Sequence, residues 1–301
     1  LARAMHALAA VGGEDAHAVL RELAARGHGA IRHQALAAVG ELGDAASMTV
    51  LREGLASGET ETAAAAASAM SRAGALRALT DDDVRLLLAA TERPFPIPMA
   101  ATFALARLAQ SGRLAAGAPT GPLSTQARST LCELLTRREP HVRANVLVAL
   151  GALGHDRCGS RLDASALMVA PHPLPVRAAA ARFLSGAALA GGPAAAEWQA
   201  ARIGCIEREL SEELSAFCRR VAASPAEGSA GSAEGSAMPA LRTFAYAGDE
   251  RTLLVHRWVV LRFEDGSAFA GFTDLNGFLT LEAPPTPNAR LELPESMPLD
   301  R

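Results

Sequence analysis

Residues 19–44 read "VLRELAARGHGAIRHQALAAVGELGD", and fragments of this stretch occur twice. "ALAAVG" stands at 7–12 and again at 35–40; "VLRE" stands at 19–22 and again at 50–53. Val19, Leu20 and Leu23 share one helical face, with Arg21, Glu22 and Arg26 largely away from it. Gly27 and Gly29 end that helix. A second helix follows, with Ile31, Ala35, Leu36, Val39 and Leu42 at helical spacing, and "GD" at 43–44 stops it. The unit is helix, short turn, helix, loop. One such pair cannot cover its own apolar side, so the pattern has to recur and stack.

It does recur. "HVRANVLVALGALGHD" at 141–156 aligns with 30–44, and Arg32 precedes Gly40 by the spacing that separates Arg143 from Gly151. "PVRAAAARFLSGAALAGG" at 175–192 reads as a further copy, while "TETAAAAASAMSRAG" and "IPMAATFALARLAQSG" fill the same slot more loosely. Thr80 with Asp83 forms a capping box for "DDDVRLLLAAT", and Pro122 to Ser124 opens another first helix. Prolines 94, 96, 98, 173 and 175 fall in turns inside pairs, and 111–122 is a longer turn between pairs.

The motifs "VLRELAARGHGAIRHQALAAVGELGD" and "EPHVRANVLVALGALGHD", with Val/Ile-Arg opening the second helix and Leu-Gly-Asp or Leu-Gly-His closing it, resemble HEAT-repeat proteins over residues 1 to about 192. The resemblance implies a mainly α fold: a right-handed α-solenoid whose second helices line a concave surface. In residues 193–222, Ile203, Ile206, Leu210, Leu214, Phe217 and Val221 form an apolar stripe opposite Glu207, Glu209, Glu212, Glu213 and Arg219. That pattern suits a long helix capping the solenoid, or else a coiled-coil partner helix.

The domains expected are therefore a solenoid with capping helix (1–222), a flexible linker (223–240) and a small antiparallel β domain (241–301). "SPAEGSAGSAEGSAMPA" at 224–240 has little that could pack; as a Gly/Ser-type coil it spans roughly 20–25 Å. Beyond it, strands are expected at 252–263, 268–273, 277–282 and 289–293, with hairpin turns at "EDGS" (264–267) and "DLNGF" (274–278). "FTDLNGFLTLE" resembles a turn of carboxypeptidase-regulatory-like and transthyretin-like β-sandwich domains, which are in general non-catalytic.

Half of the residues are apolar, mostly Ala and Leu, and aromatics make up 4%, a composition for close helix packing. The net charge of −3 argues against nucleic acid and anionic membrane as partners. All 29 basic residues are Arg, the mark of a GC-rich, bacterial-looking composition; without Lys there is no Schiff base and no phosphate-loop lysine. Cys132, Cys158, Cys205 and Cys218 form no CxxC and read as thiols in a reducing compartment, hence a cytoplasmic protein. No apolar run reaches membrane-spanning length. The chain opens at Leu1 in mid-helix pattern, which fits a segment of a longer polypeptide.

No catalytic or metal-ligating spacing is present: no HExxH, no phosphate loop, no GxSxG, and no cofactor is implied. "GHDRCGSRLD" brings His155, Asp156 and Cys158 close in sequence, either as a thiol–imidazole pair or as loop capping. His6, His17, His28 and His33 read as surface or turn histidines, and "TDDD" (80–83) as a helix start. Arg32, Arg143 and Arg177 recur at the starts of second helices, either as a stripe for an acidic peptide or phosphate or as a ladder pairing with acids in neighbouring loops. His33 and Asn145 are expected to face the groove with them. The functions weighed are a non-enzymatic scaffold or adaptor binding a protein partner within a larger assembly, with the β module as second contact; an enzyme on the same scaffold; and a structural segment. DNA alkylpurine glycosylases and phycobilin lyases are HEAT-like enzymes. A glycosylase would need a basic, aromatic-lined face, whereas residues 1–222 hold one Trp (Trp198) and no Tyr.

Overall fold

The computed structural model describes residues 2–75, 79–114, 121–155, 157–159, 162–189, 193–209 and 211–220, and strands at 241–244, 258–263, 268–272, 278–281 and 289–292. The chain divides into two compact units, Leu1–Ala201 and Arg202–Arg301.

The first unit is a stack of helix pairs. Helix α1 (Ala2–Val11) precedes the pairs α2 (Glu14–Arg26) with α3 (Gly29–Leu42), α4 (Ala45–Ala56) with α5 (Thr60–Ala75), α6 (Asp81–Ala90) with α7 (Ile97–Gln110), and α8 (Gly121–Leu134) with α9 (Pro140–Ala152). The short α10 (Ala164–Leu167) pairs with α11 (Leu174–Leu189), and α12 (Pro193–Arg208) follows. Second helices pack each on the next, α3 on α5, α5 on α7, α7 on α9 and α9 on α11, while α1 packs on α3. First helices form the other layer, with α2 against α4 and α6 against α8. The two "ALAAVG" copies thus sit at the ends of neighbouring second-layer helices, α1 and α3. The mainly α repeat architecture stands, built as a solenoid builds itself, from nearest-neighbour contacts.

Alanine makes the second layer possible. Residues 62–71 of α5 are buried without interruption, as are 97–102 of α7. Small side chains let one helix approach its neighbours on several sides, and an all-round apolar helix is a buried one. The closest approach is at Gly40, where an added Cβ would lie 2.5 Å from the Ala69 carbonyl oxygen of α5. Gly151, at the same place in α9, has only Phe183 at 3.7 Å and His155 at 4.0 Å.

Helix ends follow the local signals. Thr80 and Asp83 form the capping box of α6, with the Thr80 N–H donating to Asp83 at 2.8 Å and the Asp83 N–H to the Thr80 hydroxyl at 3.4 Å. Asp44 caps α4 by accepting from the Ser47 N–H at 2.7 Å, after Gly43 turns the chain at φ +64°. Pro98, Pro140 and Pro175 lie in first turns, where a missing N–H costs nothing.

Several expectations are corrected. Val19 (55% exposed) and Ile31 (44%) lie outside the core that takes Leu20 and Leu36. The single capping helix is two: α12 stops at Arg208 and α13 (Glu212–Arg220) restarts after Ser211, whose hydroxyl accepts the Leu214 N–H at 3.3 Å. Its stripe is not continuous either, since Ile203 is 55% exposed while Leu214 is buried. All four cysteines are paired: Cys132 with Cys158 (Cα–Cα 5.5 Å) and Cys205 with Cys218 (6.2 Å). The reading of free thiols fails because partners 26 and 13 residues apart are brought together only by helix packing.

In the second unit β1 (Leu241–Phe244) pairs antiparallel with β4 (Phe278–Leu281), and β2 (Trp258–Phe263) pairs antiparallel with β3 (Ala268–Phe272) and β5 (Ala289–Glu292). Among the described residues β4 pairs with β1, and no pairing of β4 with β3 is present. The linker 224–240, the turn motif 264–267, residues 274–277 of the second turn motif and residues 115–120 of the long inter-pair turn lie outside the described residues.

Two measurements check this packing. Gly40→Ala is expected to destabilise by about 1–3 kcal/mol through overpacking, whereas Gly151→Ala gains up to about 1 kcal/mol of helix propensity; urea unfolding of both variants decides it. Reducing the disulfides is expected to cost about 2–4 kcal/mol each, and alkylation of the unreduced, unfolded chain should label no cysteine.

Candidate functional site

The repeated "VLRE" turns out to carry a ladder. Arg21, in the first copy, reaches Asp44 at the start of α4 at 3.2 Å, and also pairs with Glu14. Arg52, in the second, grips Asp83 at the start of α6 through both oxygens, at 2.6 and 3.0 Å. An arginine of one first helix thus holds the capping aspartate of the next. Asp83 is fully buried. Burial pushes its carboxyl up, but the Arg52 guanidinium and the Thr80 N–H and hydroxyl outweigh burial and hold it below the usual carboxylate range.

Other arginines serve backbone carbonyls of neighbouring helices or of the turns that adjoin them. Arg32 Nε donates to the Ala24 carbonyl at 3.1 Å, Arg72 to that of Ala37 at 3.0 Å, and Arg113 to that of Leu79 at 2.8 Å. Arg93 binds the carbonyls of Leu55 and Ser57 where α4 ends. Carbonyls at a helix end lack intrahelical partners and carry the negative end of the dipole, so a cation there is favourable.

The five residues singled out from the sequence fall into separate places. Arg32 and His33 belong to one network: Arg32 pairs with Glu59 at 3.2 Å, the Thr62 hydroxyl donates to the same Glu59 oxygen at 2.8 Å, and His33 Nε2 lies 3.3 Å from that hydroxyl. Asn145 is a tie between helices, its Nδ2 donating to the Met99 carbonyl at 3.1 Å and lying 3.4 Å from the Thr102 hydroxyl. Arg143 and Arg177 come together on α9 and α11, around His172. Arg177 donates to the His172 carbonyl at 2.6 Å. Burial, then the charges of Arg143 and Arg177, push the His172 imidazole below its ordinary pKa.

Cys158 is in a disulfide, so it makes no thiol–imidazole pair with His155. The His155 ring instead meets Phe183 edge-on at 5.5 Å and lies over Gly186, and burial lowers its pKa. Asp156 lies outside the described residues. His6 pairs with Glu41 at 3.0 Å and His28 precedes α3 as its cap residue. Among the described residues no group of three or more His, Cys, Asp or Glu could hold a metal, and no helix is long and apolar enough to cross a membrane.

No family model matches the chain and no curated protein matches it. Solved structures of helical-repeat proteins do. Computationally designed armadillo repeat proteins for modular peptide recognition are similar over 72% of this chain and 97% of theirs, at 14% identity and TM-score 0.48. The HEAT-like repeats protein of the archaeon Thermococcus onnurineus is similar over 73% of this chain and 95% of its own, at 13% identity and TM-score 0.47. Human deoxyhypusine hydroxylase is similar over 73% and 88%, at 17% identity and TM-score 0.31. The repeat assignment rests on the helix stacking itself, and these likenesses add nothing about function.

The Arg52–Asp83 pair gives a test. Removing one partner of a fully buried pair costs about 3–5 kcal/mol; Arg52 is 36% exposed, so Asp83→Asn is expected to cost about 2 kcal/mol at neutral pH. Because the folded-state pKa of Asp83 is depressed, its contribution is present above the unfolded value of about 3.9 and is lost as pH falls through the folded value. The stability difference between wild type and Asp83→Asn should be flat above about pH 5 and shrink below about pH 4 in urea titrations.

Proposed function

We propose that the protein is a non-enzymatic interaction scaffold that binds a protein partner on the surface of its helical stack, with residues 241–301 as a tethered β module offering a second contact. The observation that carries this reading is the layer α3–α5–α7–α9–α11, in which each helix packs on the next and the surface lengthens with every pair added. A surface of that kind suits an extended partner, and two linked modules raise avidity through effective concentration. The antiparallel pairings of β1 with β4 and of β2 with β3 and β5 support a module of strands there. Arg143 and Arg177 are the residues we assign to partner contact; Arg32, His33 and Asn145 we assign to holding the layer. A place within a larger assembly fits the same reading.

The two disulfides favour an oxidising compartment over the cytoplasm as the place where the protein folds.

The test places a photo-crosslinking residue in the full chain at exposed Glu61 of α5 or Gln110 of α7 in the helical stack, or at Thr280 in β4. Discrete adducts with a protein of the source cells are expected from the helical positions. Adducts from the β4 position alone would overturn the scaffold reading in favour of a spacer carrying a binding module.

A further inference from the structure

Three arginines occupy the fourth position of a second helix: Arg32 in α3, Arg143 in α9 and Arg177 in α11. Each of the first two faces a junction with the next second helix. At the α3–α5 junction the residue just before α5 is Glu59, and its carboxylate takes Arg32 at 3.2 Å. At the α9–α11 junction the residue just before α11 is Pro173, preceded by His172. The register that supplies a carboxylate to Arg32 supplies a pyrrolidine ring to Arg143.

Nothing nearby makes up the loss. Among the described residues no carboxylate pairs with Arg143, and its Nε is buried without a hydrogen-bond partner. The acid nearest in sequence, Glu139, is already held by Arg137 at 3.0 and 3.3 Å. The groups around it are Arg177, anchored on the His172 carbonyl, and His172 itself. A guanidinium that is partly buried and uncompensated is an incomplete interaction, because desolvating a charge without a partner is unfavourable.

We propose that Arg143, with Arg177 and His172 beside it, receives a side-chain carboxylate from an acidic peptide segment of the protein partner, which supplies at the α9–α11 junction what Glu59 supplies at the α3–α5 junction. Arginine and carboxylate match as planar, bidentate groups. A carboxylate fits better than a nucleic-acid backbone, since the chain is acidic overall, at −3. The inference rests on the scaffold reading and adds the chemistry of the ligand.

The probe is a fluorescein-labelled peptide of alternating Glu and Gly, titrated by anisotropy into the full chain at low ionic strength. Saturable binding is expected, weakened about tenfold or more by Arg143→Gln. Arg32→Gln removes the same charge at a junction that has its own carboxylate and should leave binding unchanged. Pro173→Glu installs the missing carboxylate in the chain while keeping Arg143, and should abolish peptide binding in a protein at least as stable as the wild type. Absence of saturable binding, equal loss in Arg143→Gln and Arg32→Gln, or wild-type binding by Pro173→Glu would each overturn the proposal. So would displacement by inorganic phosphate but not by acetate at matched ionic strength. If the crosslinks from the helical stack persist while the peptide fails to bind, this inference alone falls; adducts confined to the β module sink the scaffold reading with it.

Discussion

A helix without a polar side must find apolar cover in every direction, and α5 imposes this on the rest of the first unit. Its run from Thr62 to Ser71 is buried throughout. No single partner helix can achieve that; α5 needs α3 on one side, α7 on the other and α4 behind it, and it packs against all three. Because α7 is buried almost as completely, it needs α9 in turn. The stack is thus a consequence of composition: alanine-rich second helices cannot end a fold, they can only pass the requirement to the next repeat. The glycine at 40 belongs to the same logic, since the α3–α5 approach leaves no room for a β-carbon.

Such packing leaves the polar groups to be satisfied at the rims, and arginine does most of this. A guanidinium has five donors, a long apolar stem and a charge that cannot be lost, so it can lie along the helix layer and still reach a carbonyl or carboxylate of the neighbouring repeat. Arg21 and Arg52 tie first helices through their capping aspartates; Arg32, Arg72 and Arg93 tie helices through carbonyls, and Arg113, just past α7, reaches the Leu79 carbonyl ahead of α6. The absence of lysine, attributed to codon composition from the sequence, therefore coincides with a structural use, since an ammonium cannot reproduce the two-oxygen grip on Asp83.

What could be read from the sequence was whatever repeats along one helix. "ALAAVG" announces the second layer, the Thr80–Asp83 capping box is local, and both appear where the spacing puts them. What could not be read depends on pairs distant in the chain. "VLRE" was visible as a repetition, but its purpose lies in aspartates 23 and 31 residues beyond its arginines. The cysteine pairs are hidden for the same reason. Ile203 and Val19 matched an apolar period and are exposed, because periodicity marks a stripe without saying which part of it a neighbour covers.

The same dependence on distant partners explains why Arg32 and Arg143 looked equivalent and are not. Their own helices are near copies, down to the spacing to Gly40 and Gly151. Their environments are set by the residue before the next second helix, and there the repeat diverges from Glu59 to Pro173. Proline at that point is itself intelligible: it stands with Pro175 at the start of α11 and fixes the turn from the short α10. Backbone geometry at one repeat was thus gained at the expense of a charge partner for its neighbour. In a solenoid, where repeats interact only with what adjoins them, such a local exchange does not propagate through the fold. It leaves Arg143 without a carboxylate at the α9–α11 junction while the neighbouring repeats keep their packing.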